Sequence, residues 1–170
     1  MGRGVRRGAA PPDLGGRVTT LPPVGQPAPD FTLSSTSGAD VTLSSFRGAQ
    51  NALVAFFPLA FTRVCTTELN AFCRDFDRFG NIDTSVLPIS VDSVPALRAF
   101  RSKHGMCVHL LSDFRRDVSR RYGVLREEDF FSERAYFLVD RQGILRWAHV
   151  EASLEDRRED AELLRRIEAL

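Results

Sequence analysis

The chain has no C-x-x-C and only three cysteines, Cys65, Cys73 and Cys107, at spacings that match no zinc site. Their odd number and wide separation argue against a disulfide framework, a metal site and a dithiol redox motif, and point to a reducing compartment with at least one working thiol. Long apolar runs are also missing. No stretch approaches the roughly 18 apolar residues that a membrane-spanning helix needs. Strong charge of one sign is absent as well: 23 Lys and Arg against 22 Asp and Glu give a formal net charge of +1. A balance so near zero supplies no general reason to expect nucleic acid or an anionic membrane as partner. The three histidines, His104, His109 and His149, are scattered and form no Cys/His hydrolase pattern.

What is present reads as one globular domain. At 170 residues, with 43% apolar and 26% charged side chains, the chain is long enough to bury a sheet covered on both faces. Met1 to Pro23 is rich in Gly, Pro and Arg and shows no apolar periodicity, so it is read as a flexible tail of 1–23 before a domain of 24–170. It contains no apolar stretch of about 7–15 residues of the kind a secretory leader requires, and the expected location is the cytoplasm.

Short extended runs at Phe31–Leu33 and Val41–Leu43, separated by a polar loop, predict a hairpin. Asn51–Phe57, Thr84–Val91 and Ala135–Val139 are nearly continuous apolar runs, as strands buried on both faces are. Between them, Cys65, Leu69, Phe72, Cys73, Phe76 and Phe79 recur at helical spacing and predict one helix over 65–79. Further helices are predicted over Val94–His104, Asp117–Tyr122 and Leu154–Leu170, and a strand over Val108–Leu111. Strand and helix alternate, so the fold class is α/β.

The segment Phe56 to Leu69, FFPLAFTRVCTTEL, delivers Cys65 from a buried strand to the start of a helix. Unpaired N–H groups and the positive end of the helix dipole favour an anion there. A free thiol titrates near about 8.5, and lowering it to about 6 multiplies the thiolate fraction at pH 7 roughly thirty-fold, worth about 2 kcal/mol. Enzymatic accelerations begin near about 10⁶, so most of a thiol enzyme's rate must come from aligning the substrate and stabilising the leaving group. Donors are needed around the reacting atoms.

Pro58, Thr62 and Cys65 stand in the spacing P-x-x-x-T-x-x-C. With the residues around them, they make the chain resemble the peroxiredoxin family, in its one-cysteine-like alkyl hydroperoxide reductase E branch. The resemblance implies a thioredoxin-like fold with a central mixed sheet flanked by helices. It also implies a thiol-dependent peroxidase with Cys65 as the peroxidatic cysteine, supported by Thr62, Pro58 and Arg134, the last facing Cys65 from the start of the Ala135–Val139 strand. Its substrates would be hydrogen peroxide or organic hydroperoxides, and no cofactor or metal is expected.

Arg63, inside the loop, is a competing guanidinium, and Arg134 read on its own would pair with an acid such as Glu133. Glu68 is expected to cap the helix start or orient an arginine, with capping preferred. Val64, Phe57 and Phe61 are candidates to line the approach to the sulfur. Thr66 stands where family members often have proline.

Cys73 lies two turns, about 12 Å, beyond Cys65 on the predicted helix, outside the reach of a disulfide, and reads as a core residue. Cys107 is the possible resolving cysteine of a two-cysteine cycle. A one-cysteine cycle is favoured, with an external thiol reductant of thioredoxin, glutaredoxin or low-molecular-weight type. The family also implies a homodimer. A peroxide-sensing relay or chaperone is the alternative from another functional class.

Overall fold

Every residue of Asn51–Phe56 is buried, and this strand organises the molecule. The computed structural model describes residues 20–170. Its elements in chain order begin with β1 (Thr32–Ser35), β2 (Asp40–Thr42) and β3 (Asn51–Phe56). Two consecutive helices, α1 (Arg63–Arg74) and α2 (Phe76–Asn81), lead to β4 (Thr84–Ser90) and α3 (Val94–His104). After β5 (Leu111–Ser112), α4 (Asp117–Arg121) and a small hairpin of β6 (Leu125–Arg126) and β7 (Phe131–Ser132) come β8 (Ala135–Val139), β9 (Leu145–Val150) and α5 (Asp160–Glu168).

Seven strands form one mixed sheet in the order β2-β1-β5-β4-β3-β8-β9. β3, β4 and β5 run parallel, while β8 pairs antiparallel with β3 and β9. Side chains alternate across a strand, so β3 serves both faces. Val54 and Phe56 pack with Ile89, Tyr122 and Phe137 on one side. Leu53 and Ala55 pack with Leu69, Phe72, Phe100 and Tyr136 on the other. This two-faced core is what the continuous apolar runs predicted.

Three expectations are corrected. The helix expected over 65–79 breaks at Asp75, whose N–H closes α1 on the carbonyl of Ala71 while its own carbonyl opens α2. Phe76, expected on the buried face, is half exposed at 49%. Apolar spacing persists through the break, so periodicity could not reveal it. The closing helix starts at Asp160 and not at Leu154. Backbone groups of Leu154 and Arg158 in the preceding segment hydrogen-bond to Arg134 and Tyr136 instead of forming a helical turn. The strand expected over Val108–Leu111 is confined to Leu111–Ser112.

Of the predicted tail, residues 1–19 lie outside the described residues. Pro22 is buried. The backbone of Thr20 lies so close to Gly123, which has φ of +71°, that a Cβ there would meet the Thr20 carbonyl oxygen at 2.7 Å. Packing therefore begins before residue 24. No helix among the described residues is long and apolar enough to cross a membrane.

Candidate active site

β3 ends at Phe56, and the six residues that follow turn the chain onto the N-terminus of α1. The turn is pinned from the neighbouring strand: the Ala60 N–H donates to Asp92 Oδ2 at 2.8 Å, and the Ser90 hydroxyl donates to the same oxygen at 2.8 Å. Thr62 is the N-cap residue, with extended φ and ψ of −86° and 152°. Cys65 is the third residue of α1, so its sulfur sits in the first turn, where no acidic side chain opposes the helix dipole.

The Thr62 carbonyl accepts both the N–H of Thr66, at 3.0 Å, and its hydroxyl, at 2.7 Å. A proline at 66 would lack that N–H. Threonine thus fixes Thr62 with two bonds where proline would offer neither.

Cys65 is 1% exposed, at the base of a cavity of about 220 Å³ whose walls include Pro58, Thr62, Val64 and Arg134. Leu59, Phe131 and Leu154 supply apolar wall. The Thr62 hydroxyl donates to the Leu59 carbonyl at 3.0 Å and makes no hydrogen bond to the sulfur. Its proton is thereby committed, and what it turns to the cavity is lone pairs.

Arg134 reaches the sulfur from the residue before β8. Its Nη2 lies 3.3 Å from Cys65 Sγ and also donates to the Leu154 carbonyl at 3.2 Å. Nη1 pairs with Glu68 Oε2, and the Tyr136 hydroxyl donates to Glu68 Oε1. Arg134 and Glu68 are each 1% exposed, and Tyr136 is fully buried. The backbone N–H of Arg158 donates to the Tyr136 oxygen at 3.1 Å and closes the network.

Burial pushes the Glu68 carboxyl up, with Arg134 and Tyr136 pulling against it. For Arg134, burial acts downward, but Glu68 and Cys65 hold its guanidinium above the ordinary value. Burial and the adjoining Glu68 carboxylate raise the Tyr136 phenol. Both oxygens of Glu68 accept a donor, and both terminal nitrogens of Arg134 give one. Arg134 Nε alone in that guanidinium has no partner among the described residues.

The expected site residues divide clearly. Pro58, Thr62, Val64, Cys65 and Arg134 converge on one cavity. Glu68 does not cap the helix: it is a core carboxylate that orients Arg134. Arg63 is exposed at the rim and pairs with Glu155 at 2.9 Å. Glu133 pairs with Arg126 at 3.1 Å and leaves Arg134 to the interior.

Phe57 and Phe61 line no part of the cavity. Phe57 points into the core as the next residue of the β3 alternation. Phe61, at φ of 63° and 50% exposed, packs against Phe100 in a tilted arrangement with centroids 4.9 Å apart. Tyr136, Phe131 and Leu154 were missed. Tyr136 is hidden in an apolar run, and Leu154 lies in a segment that reads as helix.

Cys107 is not beside Cys65. Its backbone N–H donates to Cys73 Sγ at 2.8 Å, two turns along α1.

The profile of the AhpC/TSA family matches residues 24–148, most of the chain and all of the site except its Leu154 and Glu155 rim. The chain belongs to the AhpC/TSA family. Alkyl hydroperoxide reductase E of Mycobacterium tuberculosis is 43% identical over 129 residues, which is 75% of this chain and 84% of that one. Peroxiredoxin-2 of Cricetulus griseus is 38% identical over 133 residues, covering 72% and 67%. Among solved structures, the mitochondrial 2-cys peroxiredoxin of Plasmodium falciparum superposes with a TM-score of 0.79 at 32% identity, covering 86% of this chain and 92% of that one.

The fold of this peroxiredoxin is accordingly thioredoxin-like, and its activity is that of a thiol-dependent peroxidase. Its reductase E-like character, first suggested by the Phe56–Leu69 segment, agrees with the relative at 43% identity. A buried first-turn cysteine facing an arginine, at the base of a small cavity, is an arrangement that suits such chemistry.

Proposed function

We propose that Cys65 thiolate attacks one oxygen of hydrogen peroxide or an organic hydroperoxide. A sulfur–oxygen bond forms and the O–O bond breaks. The sulfur loses two electrons and becomes a sulfenic acid, and the other oxygen leaves with a proton as water or alcohol. Arg134 Nη2 is the charged donor at the reacting atoms, while the lone pairs of Thr62 accept the hydrogen of the incoming hydroperoxide. Pro58 and Val64 shape the cavity around that pose. Glu68 and Tyr136 are positioning residues that aim the guanidinium. The observation that carries this reading is the 3.3 Å approach of Arg134 to Cys65 inside a closed network.

An external small or protein thiol then returns the sulfenic acid to thiol. Cys73 lies two turns down the same helix, and the Cys107 N–H is hydrogen-bonded to Cys73, which supports a one-cysteine cycle for Cys65. A homodimer is the working form we infer from the family, and the cytoplasm is the location expected from the sequence. Reduced protein should consume hydrogen peroxide with a thiol reductant, and Cys65→Ser should lower the rate to the level of buffer. A Cys65→Ser variant that keeps the parental rate would overturn the assignment.

A further inference from the structure

The peroxidase chemistry uses neither Cys73 nor Cys107, yet the fold brings these two together. Cys73 stands in the last turn of α1, half-buried, with its side chain against the loop that follows α3. Cys107 stands in that loop, exposed. The Cys107 N–H donates to Cys73 Sγ at 2.8 Å across 34 residues of sequence. Covalent geometry then places the two Cα atoms within about 7 Å, the span a disulfide bridges.

The arginine that reaches this loop makes no hydrogen bond to either sulfur. Arg101 donates from Nε to the Val108 carbonyl at 2.9 Å and from Nη2 to the Cys107 carbonyl at 3.4 Å, and gives nothing to sulfur. Burial, the neighbouring Cys73 thiol and its charge push the Cys107 thiol up to about 12. These are features of a coupled dithiol. An isolated peroxidatic thiol would not show the second sulfur. A cavity of about 300 Å³, walled by Phe76, Phe79 and Val108, opens beside Cys107 and leaves room for a small molecule to approach.

We propose that Cys73 and Cys107 form a second redox site, independent of Cys65, which closes to an intramolecular disulfide by exchange with the disulfide form of a small thiol. Cys73 sulfur, which accepts the Cys107 N–H, attacks one sulfur of the small disulfide RSSR. A Cys73–SR bond forms, the RS–SR bond breaks, and the first thiol leaves with a proton. Cys107 then gives up its own proton, attacks the Cys73 sulfur and expels the second RSH. Two protein thiols are oxidised and one small disulfide is reduced to two thiols. The bridge ties the C-terminal end of α1 to the α3–β5 loop, so the ambient thiol balance sets whether the helix that carries Cys65 is tethered at its far end.

The test uses the full chain with Cys65→Ser, equilibrated in graded mixtures of reduced and oxidised glutathione, quenched in acid, alkylated and weighed. The expected product is lighter than the dithiol by two hydrogens and loses both alkylation sites together. It should form at a ratio of oxidised to reduced glutathione at least tenfold lower than that needed to modify Cys73→Ser or Cys107→Ser in the same background. Peptide mapping of the unsubstituted chain should show the same Cys73–Cys107 link, which covers the case in which the Cys65 variant misfolds. Two thiols that stay open, two separate glutathione adducts, or dimers joined through Cys107 would each overturn the proposal.

Discussion

Cys65 and Cys73 sit on one helix, eight residues apart, in opposite surroundings. Cys65 lies in the first turn, where the dipole favours an anion, and a buried guanidinium reaches it at 3.3 Å. Cys73 lies in the last turn, where the dipole disfavours an anion, and its near neighbour is another thiol. The difference shows that a cysteine's chemistry here is decided by the donors aimed at it. Burial alone does not discriminate, since the fully buried thiol is the one read as reactive.

The strongest way to break that contrast is to take the guanidinium from Cys65. Arg134→Ala should lower the rate of peroxide consumption by about 10²–10³-fold, the usual effect of losing a preorganised donor at developing charge. Initial rates by stopped flow would measure it. The substitution also strands Glu68, and a buried unpaired carboxylate costs about 3–5 kcal/mol of stability. The double variant Arg134→Met with Glu68→Gln separates the two effects. It should regain most of the melting temperature and none of the rate. If the rate recovers with the fold, Arg134 is a structural residue and the two ends of α1 differ less than their geometry says.

Thr62 sharpens the same comparison at smaller amplitude. Its hydroxyl proton is held by the Leu59 carbonyl, so an incoming hydroperoxide meets an acceptor. Thr62→Val keeps the shape and removes one hydrogen bond, worth about 1–1.5 kcal/mol or roughly tenfold in rate. Thr62→Ser should stay within about twofold. Equal losses in both variants would show that the methyl group, and not the oxygen, matters.

How much of this was legible depends on how local the signal is. β3, β4 and β8 announced themselves because burial on both faces writes a nearly continuous apolar run into the sequence. Pro58, Thr62 and Cys65 fall within eight residues, so their spacing survives in one segment. Arg134 came only through family resemblance, since 69 residues separate it from Cys65. The role of Glu68 could not be read at all. In a helix predicted to start at Cys65, a glutamate three residues on looks like a cap, and only the fold brings Arg134 and Tyr136 to its two oxygens. The pairing of Cys73 with Cys107 was hidden for the same reason, because it joins a helix end to a loop 34 residues away.

The rule that donors decide the fate of a buried group extends from thiols to carboxylates, and Asp160 tests it with the smallest expected effect. Glu68 has a donor on each oxygen, while neither oxygen of Asp160 has a partner among the described residues. Arg157 Nη1 lies 3.9 Å from Oδ1, a loose ion pair beyond hydrogen-bond distance. Burial, followed by the negative charge of Asp75, pushes the Asp160 carboxyl up to about 7. Because the folded value lies above the unfolded one, the contribution to stability is complete below about pH 4 and is lost as pH rises through about 7. Asp160→Asn removes that loss, so its melting temperature should match the parent near pH 4 and exceed it by roughly 2–4 °C at pH 8. The opposing effect is the first turn of α5, where a carboxylate gains about 0.3–1 kcal/mol from the helix dipole. A variant that melts below the parent at pH 8 would mean that the dipole outweighs burial, and that a helix end can stand in for the donors Asp160 lacks.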